Sequence, residues 1–287
     1  MIPMFGIAEP FSSLSHLLSA VMFFGLTFIL LKKGWGSKLR VLGLILYSFS
    51  LVFLFSMSGV YHIMSLNTSA RIVLQRLDHA AIYFLIASSF IPLHLILLRG
   101  IWRWGILTLV WSVAITGLVL TTVYFDSTPP YFKPIFFLAL GWMGLLSVIK
   151  IYKTYGWSIL MYLVYGGLAY SVGTILELFH VPNLINSVIG PHEIFHLFVT
   201  SGALLQWYFV YLVASHPIHD QLVFVVSERP GLKFFAFSKG ESIKCFANSL
   251  EELHLNIKKE IDLRFHPNMK PSQVVCQYHK EDVIVLN

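Results

Sequence analysis

Seven apolar stretches with hardly a charge among them fill the first 215 residues, and they leave this chain few ways to fold. The hydrocarbon core of a bilayer takes about 20 residues of helix. Leu14–Leu31, Leu39–Tyr61, Leu77–Leu98, Ile106–Tyr124, Pro134–Ile149, Ile159–Leu178 and His192–Val213 each approach that length, the fifth being the shortest. Charged residues make up 12% of the chain, about half the roughly 25% of a soluble domain. The first stretch has no basic segment before it and no small-residue cleavage pattern before Lys32-Lys33, so it reads as a retained span and not as a signal peptide. The expected fold is therefore an all-α integral membrane protein with seven transmembrane helices. It occupies residues 1–215 and is followed by a small soluble α+β appendage at 216–287.

Charge gives an expected orientation. Let face A be the side of the N-terminus and face B the other. The face B loops carry Lys32, Lys33, Lys38, Arg40, Arg99, Arg103, Lys150 and Lys153 and no acid, whereas face A carries Arg71, Arg76 and Lys133. The positive-inside rule then puts face B in the cytoplasm, the N-terminus outside and the C-terminus inside. These loop cations account for the pI of about 9.2 as topology signals, with no nucleic-acid partner.

Beyond His216 the nine basic and nine acidic residues cancel, so the net +6 belongs to the membrane core. Leu222–Val226 and Lys233–Phe237 read as strands joined by a turn at Pro230-Gly231. Ser249-Leu-Glu-Glu252 is a capping box followed by Leu250, Leu253, Ile257 and Ile261 at helical spacing. Val274–Cys276 and Val283–Leu286 are further candidate strands. The two cysteines, Cys245 and Cys276, lie in this tail without metal-ligand spacing or a disulfide framework.

The membrane core has five acids, Glu9, Asp78, Asp126, Glu177 and Glu193, and all map to face A. Ionisable groups at membrane depth pair, line cavities or do chemistry. Asp126 and Glu9 read as solvated, but the other three have histidines for company. His62 ends the second span, Asp78 and His79 open the third, Glu177 and His180 close the sixth, and His192 and His196 open the seventh. Antiparallel helices bring all of these to one level. Residues four apart project from one side of a helix, which pairs His192 with His196 and Ser58 with His62. Three imidazoles, His62, His192 and His196, suit a tetrahedral zinc with one position left for water. Asp78 would hold that water and accept its proton, and Ser58 would donate a hydrogen bond nearby. His16 and His79 read as structural, His94 as unrelated, and Glu177 as either a partner of the site or an interfacial charge. Gly141, Gly144, Gly166, Gly167 and Gly173 read as points of close helix packing. His192-Glu193-x-x-His196 also matches the helical zinc-protease motif, with Glu193 as base. A third ligand from a distant helix makes that the weaker reading.

Four motifs carry a resemblance: Glu9-Pro-Phe-Ser-x-x-Ser-His16, Ser58-x-x-Tyr-His62, Arg76-Leu-Asp-His-Ala-Ala-Ile-Tyr83 followed by Pro92, and His192-Glu-Ile-Phe-His196. Over about residues 8–213 the chain resembles the hemolysin III and progestin/adiponectin receptor family. The resemblance implies a zinc held by His62, His192 and His196, with Asp78 near the metal-bound water and Ser58 close by. It also implies hydrolase-like chemistry on lipid amides such as ceramide. The short N-terminus fits a compact bacterial member in the inner membrane, and nothing carries over to the tail. The expected function is thus a zinc-dependent membrane hydrolase of lipid amides or esters, with membrane lipids as partners. A lipid-sensing receptor or regulator with structural zinc is the alternative, ahead of a pore-forming cytolysin or an intramembrane protease.

Overall fold

The computed structural model describes residues 6–185, 188–218, 221–229, 232–265 and 270–279. Eight helices run α1 (Pro10–Lys33), α2 (Lys38–Ile63), α3 (Ser69–Leu97), α4 (Gly100–Val123), α5 (Phe132–Trp142), α6 (Leu145–Tyr155), α7 (Trp157–Leu178) and α8 (Pro191–Val213) before the tail begins. Among the described residues, seven helical spans are long and apolar enough to cross a bilayer, α5 and α6 together making the fifth.

Three spans differ most from their apolar stretches, and the fourth begins at Gly100, six residues before Ile106. The fifth extends six residues past Ile149 to Tyr155, because Lys150 and Lys153 can lay their stems along the helix and keep their heads in water. It also breaks at Met143-Gly144, where the Gly144 N–H turns back to the Gly141 carbonyl at 3.1 Å. The third begins at Ser69, with Thr68 Oγ1 capping the Arg71 N–H at 3.3 Å. Asp78 therefore lies more than two turns inside α3 and does not open it.

Neighbouring helices pack in chain order from α1 to α4, α7 packs on α8, and α1 meets α8 to close the bundle. The centre is α3, the most buried span, with Ala81, Tyr83, Ala87 and Ile96 fully enclosed. The outer surface of α1 and α4 shows Leu18, Val21, Phe28, Ile101 and Trp104. In water so much exposed apolar surface would drive aggregation; in a bilayer, lipid tails cover it.

Close approach at glycine sets two of the contacts. A methyl group on Gly59 would lie 2.7 Å from Leu17 Cγ and 3.1 Å from the Leu17 backbone nitrogen, so α1 and α2 touch there. A methyl on Gly166 would lie 3.0 Å from the Gly202 carbonyl, joining α7 to α8, and Gly173 meets Phe198 in the same seam. Gly144 sits at the helix break against Phe90. Gly141 and Gly167 face open space, so the packing role expected of them fails.

The tail forms a four-stranded sheet in the order β3-β2-β1-β4, from β1 (Gln221–Arg229), β2 (Leu232–Ser238), β3 (Lys244–Ala247) and β4 (Gln273–His279). The first three strands pair antiparallel with their neighbours in sequence, β1 with β2 and β2 with β3, whereas β4 pairs parallel to β1. A parallel partner needs a crossover, and α9 (Leu250–Arg264) supplies it. Its start is the expected cap, with Ser249 Oγ accepting from the Glu252 N–H at 3.1 Å. Leu253, Ile257 and Ile261 pack on Leu222, Phe224 and Val226, while Leu250 stays exposed. The expected turn at Pro230-Gly231 and strand at Val283–Leu286 lie outside the described residues.

The sheet is docked on face B. The Arg40 guanidinium, 2% exposed, donates to both carboxylate oxygens of Glu241 at 2.8 and 2.7 Å and to the carbonyls of Gly34, Trp35 and His216. Arg99 and Arg103 reach the carbonyls of Pro217 and Ile218. Three cations that look like topology signals in the sequence thus also hold the tail.

Candidate metal centre

His62 lies in the last turn of α2, and His192 and His196 in the first two turns of α8. Pro191 opens α8 at a position where its missing N–H costs nothing. Glu193 Oε2 then accepts from the Gly190 N–H at 2.9 Å to cap the helix. Candidate ligand atoms of His62, His192 and His196 all lie within 4.8 Å of one another, so this cluster could hold a metal ion. His62 and His196 are 2% exposed, and His192 forms the open edge of the set, its side chain 41% exposed.

The hydrogen bonds around the rings decide which nitrogens face inward. The Nδ1 of His62 meets Glu9 Oε2, and the Nδ1 of His192 meets Glu177 Oε1 at 3.1 Å. A carboxylate on one ring nitrogen keeps the proton there and leaves the lone pair on the other. The two Nε2 atoms so freed face each other 3.4 Å apart. Two lone pairs at that distance repel unless a cation or a shared proton lies between them. Two nitrogens on a tetrahedral zinc, at Zn–N distances of about 2.0–2.1 Å, stand roughly 3.4 Å apart. The Nδ1 of His196 is buried without a hydrogen-bond partner among the described residues, an orphaned ring nitrogen whose lone pair a metal ion would satisfy. These residues fit a metal.

Glu9 is held in place by backbone pairing. The N–H groups of Ala8 and Glu9 donate to the Ile63 and His62 carbonyls at 3.2 and 3.0 Å. Arg71, from the first turn of α3, donates to the same carboxylate oxygen at 2.9 Å and stacks on the Tyr61 ring. Burial works against the charge on Glu9, but the hydrogen bonds from His62 and Arg71 outweigh it and bring its pKa down to about 2. Glu9 is therefore not the freely solvated acid expected from the sequence; it is the ionised partner of His62.

Asp78 approaches from α3. Its carboxylate interacts electrostatically with the buried Ser58 and with His192. All five residues singled out from the sequence therefore meet at face A. A fourth imidazole joins them: His16, two turns into α1, stacks on His196 with ring centroids 3.7 Å apart and planes 15° apart, and its edge meets Phe55. His79 points away, with Nδ1 on the Gln75 carbonyl and its ring against Phe125. His94 is buried on Ser147 elsewhere in the bundle. Asp126, its side chain 81% exposed, pairs with Arg76.

Glu193 weighs against the protease reading. Its Oε1 accepts from Ser12 Oγ at 2.8 Å while Oε2 caps α8, so both oxygens are engaged away from the histidines. The carboxylate fastens α8 to α1 and is not placed as a general base.

The sequence relationships agree with this geometry. The family described as Haemolysin-III related matches residues 7–207, which includes every residue of the cluster. A hemolysin-3 homolog of Bacillus subtilis is 27% identical over 63% of this chain and 82% of its own. Hemolysin-3 of Bacillus cereus is 29% identical over 61% of this chain and 76% of its own. The human monocyte to macrophage differentiation factor is 29% identical over 58% and 68%. With its seven apolar spans and this match over most of its length, the chain is an integral membrane protein that belongs to the haemolysin-III related family.

Proposed function

We propose that this protein is a zinc-dependent membrane hydrolase acting on lipid amides of the ceramide type. The observation that carries the proposal is the set of three converging imidazoles, two with their outer nitrogens held by carboxylates, with Asp78 and Ser58 beside the open edge at His192. Imidazole ligands without thiolates suit zinc, and three protein ligands with a free position are the pattern of catalytic sites. A zinc ion held by these three imidazoles would supply Lewis-acid chemistry, lowering the pKa of bound water toward about 7. Asp78 would take a proton and later return it to the departing amine. Ser58, which interacts with Asp78, would orient the carboxylate or turn its hydroxyl to a substrate carbonyl. Glu9 and Glu177 hold the rings of His62 and His192. The site lies at the face A ends of α2 and α8.

A second reading, a lipid-sensing regulator with structural zinc, draws support from the sequence distance between the ligands, since an ion shared by α2 and α8 would tie the two helices together. A pore-forming reading, suggested by the name of the Bacillus cereus relative, has less support, because the acids of the spans gather at one end of the bundle. With face B cytoplasmic, the site would open to the exterior or periplasm of a bacterial inner membrane; a reporter fused to Asn287 tests this. The deciding experiment incubates purified protein and its Asp78→Ala form with ceramides and acyl amides. Loss of an acid–base group costs about 10²–10⁴ in rate, so the variant should hydrolyse at least about a hundredfold more slowly while keeping its zinc. Equal turnover in both forms, or none in either, supports the regulator.

A further inference from the structure

On the opposite face, where the tail sheet meets the membrane core, a cavity of about 740 Å³ opens between the ends of α1 and α9. Sites for small ligands usually enclose about 300–1,000 Å³. Lys32 and Lys33 line it from the last turn of α1, and Arg264 lines it from the last turn of α9. Arg40 forms part of the wall, but its charge is taken up by Glu241. Among the described residues, no acid pairs with Lys32, Lys33 or Arg264, and no acid lines the cavity. Three like charges share one hollow without compensation.

Lys32 and Lys33 alone would be ordinary topology residues. Arg264 is different: it comes from a segment whose charges cancel, and only the docking of the sheet brings it here. The remaining walls identify the occupant. Trp35 and Tyr211 line the cavity, with the Lys33 ammonium 5.4 Å from the Tyr211 ring. Such amphipathic rings sit at the level of lipid headgroups. Ile29, one turn deeper in α1, is half exposed on the lipid-facing surface. A soluble anion would need only the cations; the aromatic collar and the apolar exit along α1 suit a molecule with acyl chains.

We propose that this junction binds the phosphate headgroup of an anionic glycerophospholipid. The phosphate lies among Lys32, Lys33 and Arg264, the glycerol against Trp35 and Tyr211, and the chains run down α1 past Ile29. The lipid thereby becomes part of the joint between the tail and the membrane core. None of this depends on the metal centre at face A.

Native mass spectrometry of the full chain released from micelles, titrated with phosphatidylglycerol, phosphatidylcholine or soluble glycerol phosphate, tests the site. Phosphatidylglycerol should bind in preference to phosphatidylcholine, and glycerol phosphate should not displace it. Each basic residue near a membrane anion contributes about fivefold in binding, so the combined variant K32Q/K33Q/R264Q should bind on the order of a hundredfold more weakly. K150Q/K153Q/K244Q removes the same charge from exposed positions outside the cavity and should bind as wild type. Equal losses in the two variants, equal binding of the two lipids, or displacement by glycerol phosphate would each overturn the proposal. Should the combined variant misfold, R264Q alone still decides: a loss of about fivefold supports the site, and unchanged binding removes it.

Discussion

Replacing Glu9 by Gln tests the metal centre without touching a ligand. The carboxylate accepts from His62 Nδ1 and from Arg71 Nη2 at 2.9 Å, and with a pKa of about 2 it carries a full negative charge at neutral pH. Gln keeps the shape and one acceptor but not the charge, so His62 becomes a poorer donor to a metal. Arg71 stays in place through the Met64 carbonyl at 2.7 Å and the Tyr61 ring, which limits structural collapse. Losing such an outer partner typically costs about 10- to 100-fold in metal affinity, or roughly 1.4–2.7 kcal/mol. E9Q belongs at the upper end, because the His62 side chain is 2% exposed and Glu9 only 24%. Glu177→Gln belongs at the lower end. Its bond to His192 is 3.1 Å long, and both side chains are wetter, at 28% and 41%, so water replaces part of what is lost. Equilibrium competition for zinc between purified protein and a fluorescent chelator measures both. Wild-type affinity in E9Q, within about twofold, or a larger loss in E177Q than in E9Q, would refute the assignment of Glu9 as the partner that holds His62.

Breaking the Arg40–Glu241 pair should loosen the tail. Truncating one partner of a buried pair costs about 3–5 kcal/mol, so Arg40→Met, which strands Glu241 in the interior, should lower the tail's resistance to denaturant far more than Glu241→Gln, which leaves Arg40 its three carbonyl acceptors. Protection of Cys245 from maleimide during urea titration reads this directly. In the native protein, burial, and after it the charge of Glu260, push the Cys245 thiol up to about 11. At pH 8 about one molecule in a thousand then carries the reactive thiolate, and Cys245 should label far more slowly than the half-buried Cys276. Equal rates, checked by mass spectrometry of peptides, would show that β3 is not packed as described.

The spans were legible because a bilayer imposes one long, uninterrupted apolar signal per helix. Their ends were not, because polar residues at an interface can belong to either helix or loop. Arg71, Gln75 and Arg76 look like loop, yet Thr68 caps a helix that includes all three. In the tail, α9 announced itself through its cap and spacing. Four-residue β3 has no alternation long enough to see and exists because β2 offers it an edge. The three histidines could be found because spacing and depth together confine them to one side of one face. Glu9 could not, since an acid before Pro10 looks solvated until the backbone pairing of Glu9 with His62 fixes it there. His16 required the rotation of α1 against α8, which hydropathy leaves undetermined but Gly59 and the Ser12–Glu193 bond set.

Those same contacts bear on whether an ion at face A serves the fold or chemistry. The bundle's first and last helices are already joined by Ser12 to Glu193 at 2.8 Å and by the Ser19 and Thr200 hydroxyls at 3.2 Å. The first two are joined by the backbone pairing at Glu9 and by close contact at Gly59. A metal linking α2 to α8 would thus brace helices that protein groups already hold on both sides of α1. A structural site also tends to enclose its ion in four protein ligands, whereas this set stops at three imidazoles and leaves His192 as an open edge. Ser58 and Asp78 stand beside that edge, where a structural ion would have no use for a carboxylate and a hydroxyl. The redundancy of the brace and the placement of those two groups both favour chemistry.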